Sequence, residues 1–217
     1  MRWFTSDTHF SHANIARFCG RPFIHDEYVD RQLAHVTDVS AMNEAVVRNV
    51  NSVVGPEDEL WILGDVAFGN LDKSLLYVRR FIAGRVVIVT GNHDRCHPYN
   101  KKKAAGWLES YERLTRAEII NGNTELTLMN GTPVQVSHFP YVGDSHDRGG
   151  DVDRFAEWRP ADTGGWLLCG HVHEKWLQRG RAINVGIDAW GGQPVAESEL
   201  VNLIAEGPAD RDRIQWS

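Results

Sequence analysis

Short apolar runs that stop at a polar, chemistry-bearing residue recur along this chain. Residues 2–6 end at Asp7-Thr-His9, Glu59–Gly64 end at Asp65, and Arg85–Thr90 run into Gly91-Asn-His-Asp94. Pro133–Ser137 meet His138, and Trp166–Cys169 meet Gly170-His-Val-His173. Such runs predict strands buried on both faces, each delivering a polar side chain to the rim of a sheet. Between them the period lengthens. From about Asp26 to Val53, Leu33, Val36, Met42, Val46, Val47 and Val50 recur at helical spacing, which predicts one long or two shorter helices closed by Gly55-Pro56. Asp72–Ile82 predicts a helix capped by Asp72, and Glu197–Ala205 another.

Strand, helix and strand across residues 59–90 make a β-α-β unit, the mark of a parallel sheet covered by helices. Farther on, Glu118–Asn121, Glu125–Met129 and Pro133–Ser137 predict short strands separated by the hairpin signals Asn121-Gly-Asn123 and Asn130-Gly131. Pro140–Arg159 reads as a polar surface loop, Ala182–Val185 as a strand, and the segment from Gly207 as a polar tail. No repeat or linker interrupts the pattern, so residues 1–217 are expected to form a single domain of mixed α/β layers.

Charge narrows the function classes. The net charge is -6 and the only basic run is Lys101-Lys-Lys103, expected on a solvated helix face. Long nucleic acid, which calls for a cationic footprint, is therefore not an expected partner. A small phosphate substrate stays open, because bound divalent metals reverse the local sign. Three cysteines without C-x-x-C spacing argue against a disulfide framework. The start lacks the basic and apolar regions of a leader, and no apolar stretch nears the ~18 residues that span a bilayer. A cytoplasmic protein with no membrane partner is expected.

Asp-x-His or His-x-His alone says little, since both arise often by chance. Gly-Asn-His-Asp is far rarer, and here all the motifs stand at strand ends, where a sheet positions ligand-binding loops. They supply oxygen donors and imidazoles enough for two metal ions sharing one carboxylate. Carboxylate and imidazole without thiolate suit Mn²⁺ first, with Fe or Zn²⁺ as alternatives, and disfavour a purely structural zinc site.

The order Asp7-x-His9, Gly64-Asp65, Gly91-Asn92-His93-Asp94, His138, Gly170-His171-x-His173 resembles the calcineurin-like metallophosphoesterases. The resemblance implies a four-layer α-β-β-α sandwich of two mixed sheets with a dinuclear centre at its edge. It implies that Asp7, His9 and His173 hold one metal, that Asn92, His138 and His171 hold the other, and that Asp65 bridges them. It further implies that His93 meets the leaving oxygen of the substrate, with Asp94 holding its imidazole from behind. One departure is the long interval between Asp7 and Asp65, which reads as a helical insert.

The expected function is metal-dependent hydrolysis of a small phosphodiester or phosphomonoester, nucleotides and cyclic nucleotides included. Two other classes compete: a non-catalytic protein-binding scaffold with a decayed site, and a nuclease acting on nucleic-acid ends. The first would lack ligands and the second would carry basic surface; neither mark is present. Candidate substrate contacts are His12, Arg21 (which instead could anchor a loop) and Trp190, the last for stacking on a base. His146 and Arg148 belong to the polar loop, where surface exposure is the expectation.

Overall fold

Every residue of Leu60-Trp-Ile-Leu63 is buried, because the strand that carries them is covered on both faces. The computed structural model describes residues 1–29, 32–142 and 154–216. β1 (Arg2–Thr5) is followed by α1 (Ile15–Cys19), the hairpin β2 (Ile24–Val29) and β3 (Gln32–Thr37), α2 (Val39–Asn51) and β4 (Glu59–Ile62). α3 (Leu71–Ser74) continues as a 3-10 helix over Leu75–Arg80 and leads to β5 (Arg85–Val89). A 3-10 segment over Pro98–Lys103 precedes α4 (Ala104–Thr115), β6 (Glu118–Ile120), β7 (Thr124–Thr127) and β8 (Pro133–Val136). After these come β9 (Trp166–Cys169), β10 (Gln178–Gly180), β11 (Ala182–Asn184), β12 (Val195–Ala196), α5 (Glu197–Glu206) and β13 (Ala209–Arg211).

The strands form an α/β sandwich of two mixed sheets. One has the order β12-β1-β4-β5-β6, parallel throughout except for β12. The other has the order β13-β10-β11-β9-β8-β7 and is parallel only across β11, β9 and β8. Alternation along the central strands builds two cores. Leu60, Ile62 and Ile88 point to the helical side, against Val46, Val47 and Val50 of α2 and Tyr111 and Leu114 of α4. Trp61, Leu63, Val87 and Val89 point the other way, against Val134, Val136, Leu168 and Ile183 of the second sheet. Both faces are apolar, so the sequence shows runs where a half-exposed strand would alternate.

Three sequence expectations change. Residues 24–37 form an antiparallel hairpin, and only Val39–Asn51 is helical. Leu33 and Val36 match a helical spacing, but they fall on opposite faces of β3, and Leu33 is exposed. The true helix start is Asp38, whose side chain accepts from the Ala41 amide at 2.8 Å. The helix expected over Asp72–Ile82 begins at Leu71 without a side-chain cap and tightens to 3-10 geometry. That tightening aligns Leu75, Val78 and Phe81, three residues apart, on the core. Asn121-Gly-Asn123 is not a hairpin turn, since β6 and β7 lie in different sheets; Asn130-Gly131 does join the antiparallel pair β7 and β8.

Removing bulk from the helical-side core leaves a cavity. Leu60→Ala is expected to cost about 2–5 kcal/mol, and Leu33→Ala on the exposed hairpin about 0.5 kcal/mol or less. Urea unfolding followed by circular dichroism checks both. Equal losses would show that the hairpin is part of the cooperative core.

Candidate metal centre

The parallel strands of both sheets end at one edge. There Ser6 bridges to Gly186, and the Ile187 amide donates to the Ser6 carbonyl, which ties β1 to the strand end of β11. Beyond β1 and β4 the chain stays paired: the Asp7 amide donates to Gly64 and the His9 amide to Asp65, both at 3.0 Å. To turn several side chains toward one point, Asp7 (φ 56), His9 (φ 48), Asp65 (φ 53), His171 (φ 70) and His173 (φ 49) adopt the left-handed region. Asp and His tolerate this conformation better than most residues, but it is rarely found in such density outside functional sites.

The motif glycines are steric necessities. Gly64 has φ 88, and a Cβ there would stand 2.5 Å from the Gly91 amide nitrogen and 2.7 Å from His138 Nδ1. At Gly170 a Cβ would fall 2.0 Å from Ser6 Oγ. At Gly64 the loops after β4 and β5 touch backbone to backbone, and at Gly170 the loop after β9 closes onto the Ser6 and Asp7 side chains.

Two side-chain groups result. Asp7, His9 and His173 offer ligand atoms within 4.8 Å of one another, as do Asp65, His138 and His171. Asn92 Oδ1 lies 3.2 Å from His138 Nε2, on the side of the second group. Asp65 stands between them: its Oδ2 is 3.7 Å from His9 Nε2 and 3.5 Å from His138 Nε2. Asp7 Oδ1, Asp65 Oδ2 and both ring nitrogens of His9 are buried without a hydrogen-bond partner. Natural proteins rarely leave such atoms orphaned, so the donor set fits divalent cations of the kind that take carboxylate and imidazole. A third cluster, Cys19, His173 and Asp188, is different, because Asp188 is already paired.

Supporting contacts fix these groups. His138 Nδ1 donates to the Leu63 carbonyl at 2.7 Å, which leaves Nε2 facing the centre. The Asp7 and Asp65 carboxylates are each held by one oxygen, from the His171 and His93 amides respectively. Arg21 is 1% exposed and donates to both carboxylate oxygens of Asp188, at 2.8 and 2.9 Å, and to the carbonyls of Asp7 and Thr8. It anchors the first loop and has no surface to offer a phosphate. Asp188 in turn sits 3.4 Å from His173 Nδ1 and accepts from Trp216 Nε1. Asp94 also departs from expectation. Its oxygens accept from the Asp65, Val66 and Gly91 amides and the Tyr111 hydroxyl, none of which is the His93 ring. It clamps the loops after β4 and β5.

Protonation follows burial and charge. Burial, aided by the charges of His173 and Arg21, holds His9 well below its ordinary pKa, so it stands neutral and ready to donate a lone pair. Burial and the Asp65 charge push Asp94 up to about 6 against its amide bonds. For His173 burial works downward, but Asp7 and Asp188 outweigh it and raise the pKa to about 9. A pocket that retains a proton there is one that favours positive charge.

Around the centre, His93 has a half-exposed ring with Nε2 3.9 Å from Asp65 Oδ2. His12 packs on Phe68 at 4.0 Å between centroids, and burial lowers its pKa to about 4. Trp190 does not face the site: its Nε1 donates to the Asn184 carbonyl and its ring packs on the inter-sheet core. His146 and Arg148 lie outside the described residues. Sequence reasoning passed over Asp188 and Phe68. Asp188 was signalled by the same pattern as the ligands, an apolar strand and then an acid; Phe68, three residues past Asp65, had no comparable signal.

Over residues 2–182 the chain matches the family model described as calcineurin-like phosphoesterase. It is 33% identical over 212 residues to the gene 66 protein of Mycobacterium phage L5, covering 93% of each chain. To the gene 66 protein of Mycobacterium phage D29 it is 34% identical, over 94% of this chain and 98% of that one. An uncharacterized protein of Methanocaldococcus jannaschii is 25% identical over 95% and 92% of the two chains. A crystal structure of a protein of unknown function from Aquifex aeolicus shares the fold, with a TM-score of 0.63 at 23% identity over 94% of this chain and 98% of that one.

Breaking the buried ion pair from one side tests its structural role. Arg21→Met leaves the buried Asp188 carboxylate with only Trp216 and His173 beside it, and is expected to cost about 3–5 kcal/mol in urea unfolding of the metal-free protein. A loss under about 1 kcal/mol would show that the pair does not hold the loop.

Proposed function

Because the chain belongs to the calcineurin-like phosphoesterase family, we propose that it hydrolyses a small phosphodiester or phosphomonoester at a dinuclear divalent-metal centre, nucleotides and cyclic nucleotides among the substrates. The observation that carries this reading is Asp65 Oδ2, a buried carboxylate oxygen without a partner and within 4 Å of an imidazole from each ligand group. In this reading Asp7, His9 and His173 hold one ion, Asn92, His138 and His171 the other, and Asp65 serves both. Mn²⁺ is the first choice, with Fe or Zn²⁺ next. Divalent ions bound there would act as Lewis acids on the phosphoryl oxygens and lower the pKa of water toward neutrality.

The chain's own residues do the rest. Asn92 adds an uncharged oxygen donor, which limits negative charge beside an anionic substrate. His93 is pinned by its amide to Asp65 Oδ1 at 2.9 Å while its ring stays open to solvent, so Nε2 can pass a proton to a leaving oxygen without leaving its place. The site is complete in ligands, which favours the enzyme over the scaffold reading. Residues 1–217 serve as one domain in this proposal: β12 completes the first sheet and β13 the second, beyond the segment the family model matches. A cytoplasmic setting fits three free, buried thiols. No helix among the described residues is long and apolar enough to cross a membrane.

Two measurements test the proposal. Protein reconstituted with Mn²⁺ should approach two ions per chain by elemental analysis, and Asp65→Asn, which keeps the shape but loses the charge, should cost more activity than any other single ligand change. Full activity at one ion per chain, or near-wild-type turnover by Asp65→Asn, would sink the shared-carboxylate arrangement.

His93→Ala separates proton chemistry from metal binding. Its metal content should match wild type, while kcat/KM on a ribose ester should fall by about 10²–10⁴-fold and on a p-nitrophenyl ester, whose leaving group needs no proton, much less. Equal losses on both, or lost metal, would remove His93 from the role of acid.

A further inference from the structure

A groove of about 500 Å³ opens directly on the centre, bounded on one side by His9, His93 and His173. The rest of its lining is largely apolar, with Ile15, Phe18, Phe68 and Val172, and includes Glu174 and Lys175. Phe18 is 66% exposed, a large ring left in water beside a polar centre. Phe68 is wedged among imidazoles, its centroid 4.8 Å from His93, 5.3 Å from His9 and 4.0 Å from His12. Whatever group leaves past His93 therefore has an aromatic wall next to it. The volume lies within the range of pockets that hold a small organic ligand.

Building on the phosphoesterase reading, we propose that this groove seats the base of a nucleoside-bearing phosphate ester, with Phe18 and Phe68 as the stacking residues that set substrate preference. A nucleobase presents flat π faces and a polar edge, and the lining sets aromatic rings beside a wall that carries the charged Glu174 and Lys175. A flexible acyl tail would have no use for those charges, and a bare sugar phosphate none for the rings. The assignment also replaces Trp190, whose ring is committed to the core.

The test compares adenosine 5′-phosphate with ribose 5-phosphate, and the methyl diesters of each, so that the ribose 5′ oxygen is the same within a pair and only the base differs. Wild type should favour the base-bearing member in kcat/KM by about 5–100-fold, the range that stacking on an aromatic supports. Phe18→Ala and Phe68→Leu should each cut that ratio severalfold. Calorimetry with adenosine 5′-phosphate and ribose 5-phosphate reads the same difference as affinity, without turnover. A ratio near one in both assays overturns the groove assignment, as does an unaltered ratio in both variants. Turnover of p-nitrophenyl esters with none of any nucleoside ester overturns it as well and leaves the phosphoesterase reading standing. If no ester turns over with Mn²⁺ loaded, that reading fails, and the calorimetric ratio alone decides the groove.

Discussion

Four carboxylates, those of Asp7, Asp65, Asp94 and Asp188, are buried at the same sheet edge. Charge taken out of water is tolerated only when something answers it. Asp188 is answered by the Arg21 guanidinium, the Trp216 indole and His173. Asp94 is answered by three backbone amides and a tyrosine hydroxyl. Asp7 and Asp65 are answered on one oxygen only. The two satisfied acids hold the loops; the two half-satisfied ones define where a cation is wanted.

The sheets make this concentration of charge possible. Parallel strands from two sheets end at one rim, and short loops there are stitched by backbone hydrogen bonds between the residues after β1 and β4. Left-handed turns at five of the ligand candidates then swing the side chains inward. Such turns cost on the order of 1–3 kcal/mol each and persist only where the surroundings over-determine them. Here the surroundings are the Asp94 clamp, the Arg21 anchor and the inter-sheet core immediately below.

Within the region between Asp7 and Asp65, little of that support comes from the β2–β3 hairpin. The hairpin β2–β3 pairs with itself in the sheet topology, and Tyr28 and Leu33 are exposed. Its contribution to the site runs through its flanks, where Arg21 precedes β2 and α2 carries Met42 and Val46 into the cores. The groove with Phe18 and Phe68 is likewise outside the strands.

The sequence by itself determined the central strands, from Arg2–Thr5 to Trp166–Cys169, because a strand covered on both faces has to be apolar throughout. It also made the ligand candidates visible, since metal chemistry restricts residue type and the structure gathers all seven at one edge. Tertiary structure decided what residue type does not restrict. Leu33 and Val36 fit a helix or a strand until packing chooses, and Asn121-Gly-Asn123 suits any chain reversal, whether or not its flanks pair. Arg21, Asp94 and Trp190 are residues of functional appearance, and the structure turns Arg21 and Asp94 to holding loops and Trp190 to the core. That decision rests on which buried partner each meets, and those partners are up to 167 residues away in the chain.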